Sequence, residues 1–146
     1  MSSALVMTPI SAACFVPSAT IFASSSPAAL LYNYAICLLD QGNFDETKSL
    51  LRKTLPIVQR VLGDNNELVF RMKKVYVEAF LLDGAATPDE FREAVTMIED
   101  TERTARRVLG GTHPFALDLA RAVKVSRAAL VIRETQPAED LAEEVD

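Results

Sequence analysis

The chain has 146 residues, 49% hydrophobic and 24% charged, with a formal net charge of −5. That leaves room for one domain with a moderate core and excludes a disordered polymer. Two cysteines and one histidine exclude a disulfide-dense scaffold and any mechanism that needs two imidazoles.

Residues 1–26 contain no Lys, Arg, Asp or Glu and are rich in Ser and Ala. Their longest apolar stretch, 12–23, is short and interrupted by Pro17, so neither a transmembrane helix nor a secretory signal is expected. The segment is expected to be a disordered leader outside the core. The expected location is cytoplasmic, with organelle targeting by residues 1–26 as the alternative.

From Ser26 the apolar pattern takes a period near 3.6. Ser26-Pro27 supplies a hydroxyl N-cap and a proline at the first helical position. A first helix over 28–39 is apolar nearly all round, and Gly42-Asn43 ends it. A second helix spans 44–62, with Leu51, Leu55 and Val58 on one stripe and Gly63 at its end. Pro56 inside it predicts a kink or a break.

The turn Asp64-Asn65-Asn66 can cap a third helix over 67–82. Thr87-Pro88-Asp89-Glu90 has the order of a capping box and starts a fourth helix, which Gly110-Gly111 closes. His113-Pro114 opens a fifth, expected to end near Ile132. Beyond it Gln136-Pro137 leads into an acidic tail over 133–146, where Arg133 stands against Glu134, Glu139, Asp140, Glu143, Glu144 and Asp146. Charges balance over 27–132, so no footprint for nucleic acid or an anionic membrane is present and neither partner is expected.

An internal repeat organises these helices. Arg60-Val61-Leu62-Gly63 returns 47 residues on as Arg107-Val108-Leu109-Gly110. At the same offset Phe44 meets Phe91, Glu46 meets Glu93, Leu51 meets Ile98 and Thr54 meets Thr101. Leu38-Leu39-Asp40 meets Leu81-Leu82-Asp83 at an offset of 43, the difference fitting an insertion in the turn at 84–89. A helical hairpin cannot bury both faces alone, so copies are expected to pile into a continuous core with a concave side. The fifth helix should cover the second pair, its far side made polar by Arg121, Lys124, Arg127 and Arg133.

Leu31-Tyr32-Asn33-Tyr34-Ala35, Gln41-Gly42-Asn43-Phe44-Asp45-Glu46 and the run from Arg106 to Pro114 resemble the tetratricopeptide repeat family, and within it the long repeats of kinesin light chains. The likeness covers 28 to about 132. It implies an all-α, right-handed superhelical stack of antiparallel helical hairpins, about two and a half repeats long. It also implies a non-catalytic scaffold that binds protein or peptide. Small residues are wanted at close helix contacts, where this chain has Ala35 and Ala94 but also Thr47, Thr54, Thr101 and Glu78.

By the family's repeat positions, a peptide-binding groove would be lined by Tyr32, Asn33, Ile36 and Leu39 from the first copy and Met72, Val75 and Ala79 from the second. Tyr32 and Val75 stand where a carboxylate-gripping domain would carry Lys, which argues for apolar anchors instead. The uncapped first helix pair also invites self-association.

No catalytic, cofactor or metal site is implied. His113 reads as a turn residue beside Pro114. Cys37 reads as a small core residue, and neither Cys14 nor Cys37 has a basic neighbour to activate it. The alternative from another class is a small helical regulator or enzyme that binds an anion at Arg103, Arg106 and Arg107. A degenerate repeat fragment without independent function is the third reading.

Overall fold

The computed structural model describes residues 26–145, with side chains to Thr135. The leader expected over 1–26 lies outside the described residues apart from Ser26. The described residues form five helices: α1 Pro27–Asp40, α2 Phe44–Leu62, α3 Glu67–Leu82, α4 Pro88–Leu109 and α5 Pro114–Val145. The protein is all-α in this region, as the periodicity required.

The starts are set by the side chains the sequence singled out. The Ser26 hydroxyl accepts from the Ala29 N–H at 3.1 Å. Thr87 accepts from the Glu90 N–H at 3.2 Å while the Glu90 carboxylate accepts from the Thr87 N–H at 3.0 Å, completing the capping box. α1 closes with the Gly42 N–H on the Leu39 carbonyl at 3.0 Å and the Asn43 N–H on that of Leu38 at 2.9 Å. That is a Schellman closure, which satisfies two carbonyls left over at the helix end.

Two compact units divide the chain, the first reaching Val75 and the second starting at Tyr76. In the first, α1 packs against α2 across the short turn at 41–43. Ala29, Ala35 and Leu38 of α1 and Leu51, Leu55 and Val58 of α2 are buried there. In the second, α4 packs against α5. Phe91, Ile98 and Ala105 of α4 are buried, as are Phe115 and Leu119 of α5.

Two expectations are corrected. α2 runs unbroken through Pro56. Its ring is exposed, so the one helical bond a proline cannot donate is missing on the wet side. The fifth helix does not end near Ile132 but continues to Val145. Arg92 of α4 donates to Glu134 at 2.6 Å. The Arg133 guanidinium lies 4.4 Å from the centre of the Phe91 ring and donates to the Leu81 carbonyl at 2.9 Å. These contacts carry the helix past Ile132. Beyond them Ala138, Glu139, Leu141, Ala142 and Glu143 are strong helix formers, which offsets the bond missing at Pro137. Arg133 is thus part of the packing and not of a polar outer face.

The two Val-Leu-Gly turns have the same construction. Gly63 and Gly110 sit at φ 91° and 100°, a region that favours glycine, and their N–H groups bond Gln59 and Arg106. Three residues on, the Asn66 N–H bonds the Gly63 carbonyl and the His113 N–H bonds that of Gly110. The Asn66 side chain then accepts from the Leu68 N–H at 2.8 Å, and His113 Nδ1 accepts from the Phe115 N–H at 3.1 Å. Each partner lies 47 residues from its counterpart.

Candidate functional site

The face singled out by sequence starts on α1. Tyr32, Asn33, Ile36 and Leu39 are half-buried; Ile36 follows the adjacent Tyr32 and Asn33 by four and three residues and precedes Leu39 by three, so all four share one side of the helix. Met72, Val75 and Ala79 are buried and present no surface. Six of the seven residues lie in the first unit and Ala79 in the second. The surface the structure offers is therefore the α1 quartet, not the full set.

Arg71 of α3 adds a charge that sequence reasoning missed. Its guanidinium donates to Glu67 from Nε at 2.9 Å and from its terminal nitrogen at 2.6 Å. Burial pulls its pKa down, but the hydrogen bond and charge of Glu67, joined by those of Tyr32, outweigh that and leave it above the ordinary value. Arg71 is thus held charged beside Tyr32. The signal in the sequence was the Glu67–Arg71 spacing of four.

α1 also exposes Leu30 and Tyr34, which the family positions did not single out. Tyr34 is 52% exposed, whereas Val77, 43 residues on, is 1% exposed. The first copy therefore leaves open a position that the second fills.

The threonines at small-residue positions are accommodated locally. Thr54 donates its hydroxyl to the Leu50 carbonyl at 2.8 Å, and Thr101 to that of Met97 at 2.7 Å. Thr47 does the same to Asn43 at 2.8 Å. Each hydroxyl is satisfied within its own helix, so Thr47 and Thr101 can be buried as compact side chains.

Two of the three arginines singled out on α4 are engaged by carboxylates. Arg103 pairs with Asp100 at 2.8 Å, and Arg106 pairs with Glu102. Glu99 takes Arg127 of α5 at 2.5 Å. An anion would have to displace these partners to bind. His113 spends Nδ1 on the Phe115 N–H, as a turn residue would. Cys37 is half-buried and free of any disulfide, and Cys14 lies outside the described residues. Among the described residues no group of three His, Cys, Asp or Glu side chains is placed to hold a metal ion. No described helix is long and apolar enough to cross a membrane.

Residues 28–67 match a family described as the tetratricopeptide repeat. The match takes in α1, its turn, α2 and the Gly63 turn, and supports reading this hairpin as a tetratricopeptide repeat. No curated protein and no solved structure matches the chain. Tetratricopeptide repeats are protein-interaction modules, and the family is in general non-catalytic.

Proposed function

We propose that the chain is a non-catalytic binding module that takes a peptide or amphipathic helix along α1. Tyr32, Ile36 and Leu39 would supply apolar anchors and Asn33 a hydrogen-bonding group. Arg71 would supply a fixed charge at the Tyr32 end. The observation that carries this reading is the half-exposed α1 quartet on a hairpin that matches the tetratricopeptide repeat. Apolar side chains that stay partly wet on a rigid helix suit a ligand with apolar groups at helical spacing. The likeness to kinesin light chain repeats rests on the Val-Leu-Gly turns and on His113-Pro114, and it extends the reading to scaffold duty.

Selection of displayed random peptides against the full chain tests this. Peptides with apolar residues three or four apart are expected to enrich. Leu39→Asp should weaken the best of them at least tenfold with an unchanged far-ultraviolet circular dichroism spectrum. No enrichment, or peptides that bind Leu39→Asp equally well, would contradict the proposal.

A further inference from the structure

The outer side of α2 carries an aliphatic seam. Leu50, Thr54, Ile57 and Val61 follow one another at intervals of four, three and four residues, the spacing of a heptad. Leu50 and Thr54 are half-buried, while Ile57 is 55% and Val61 75% exposed. Thr54 gives its hydroxyl to the Leu50 carbonyl at 2.8 Å, so its methyl is what remains to offer along the seam. On one flank Leu51 and Val58 turn into the core. On the other stand Lys53 and Arg60, seven residues apart and both exposed. Neither makes an ion pair among the described residues. From Thr47 to Leu62 α2 carries Lys48, Arg52, Lys53 and Arg60 and no carboxylate.

The second copy does not repeat this face. At the offset of 47, Asp100 stands in the place of Lys53 and pairs with Arg103 at 2.8 Å. Thr104 stands in that of Ile57, and Thr101, in that of Thr54, is 2% exposed. Arg60-Val61 returns as Arg107-Val108, but the cation and the aliphatic side chain that precede them do not return. The basic-edged seam is therefore a property of the first hairpin and is not imposed by the repeat.

Its two features select an occupant. A heptad seam buries best against another helix with apolar residues at the same spacing. Lys53 and Arg60 hold the positions that flank such a seam, where an opposing helix with carboxylates seven residues apart meets both. An anionic bilayer fits less well, because charges balance over 27–132 and one edge of one helix supplies the cations. From Leu50 to Val61 the seam spans about 17 Å, short enough for a reversible contact.

We propose that the α2 seam docks an acidic amphipathic helix of a partner protein. The partner's apolar residues lie along Leu50, Thr54, Ile57 and Val61, and its carboxylates meet Lys53 and Arg60. This face is distinct from the α1 quartet, so neither proposal depends on the other.

Two synthetic helices, each three heptads long with Leu along the seam, test this. One carries Glu on its flanks and the other Lys at the same positions. Fluorescence anisotropy follows each against the full chain over roughly 1 μM to 1 mM. The acidic helix is expected to bind and its basic twin not to, with affinity falling as salt rises. Lys53→Glu combined with Arg60→Glu should weaken the acidic helix roughly tenfold or more and let the basic twin bind. That exchange of preference also shows that the variant keeps its fold. Ile57→Asp should weaken the acidic helix to a similar degree with an unchanged circular dichroism spectrum. Equal binding of the two helices, or binding of neither, would overturn the proposal. So would an acidic helix that holds the doubly reversed variant as tightly as the wild type, which would place it on another face such as α1. Capture by phosphatidylserine vesicles without binding of the acidic helix would overturn it as well and assign the face to a lipid surface.

Discussion

Arg133 bonds the carbonyl of Leu81, near the C-terminal end of α3, while its guanidinium covers the Phe91 ring. A cation there also complements the helix dipole. Seven positions earlier on the same face the fit is poorer at Ser126, 1% exposed with a hydroxyl that finds no partner. A buried hydroxyl left unpaired costs on the order of 1 kcal/mol or more. Ala79, 47 residues upstream and 0% exposed, occupies the matching place without that cost. Ser126→Ala is therefore expected to stabilise the fold by about 1 kcal/mol, raising the thermal midpoint by about 3 °C. A lowered midpoint in differential scanning calorimetry would refute the assignment.

At the scale of the element, start and stop signals carried most of the information. Proline at the first position, hydroxyl caps and closing glycines act through a few adjacent atoms, so Ser26-Pro27, Thr87–Glu90 and Gly110 could be read without knowing what each helix packs on. The two misjudged features depend on distant partners. Pro56 interrupts nothing because its ring faces outward, and α5 passes Ile132 because Arg92 and Phe91 receive its next residues. Neither partner is adjacent in sequence.

The caps of α3 and α5 extend the same local logic. Asn66→Ala and His113→Ala each remove one side-chain acceptor from a helix start. Each should cost about 1 kcal/mol, with no loss of helix content at low temperature. Urea unfolding followed by circular dichroism checks both, and unequal losses would show that the turns bear unlike loads.

For the molecule as a whole, the repeat could be read from the chain because its two copies share turn chemistry at a fixed offset. The binding face could be read only in part. Apolar residues at helical spacing look alike whether they meet a ligand or a neighbouring helix, so the family's repeat positions point to a groove at Met72, Val75 and Ala79 although all three are buried. The exposure of Leu30 and Tyr34 was equally hidden, since it depends on what does not cover α1. The long-range pairing of α5 with α4 was likewise outside what periodicity can specify.

The interaction reading rests on the claim that the turns at Gly63 and Gly110 are two copies of one unit. Exchanging their caps tests that claim most directly: Asn66→His and His113→Asn in one chain, with the thermal midpoint measured beside that of the wild type. If the turns are equivalent, the exchanged chain unfolds within about 2 °C of the wild type and well above the Asn66→Ala, His113→Ala double variant. An exchanged chain that unfolds together with the double-alanine variant would contradict the account.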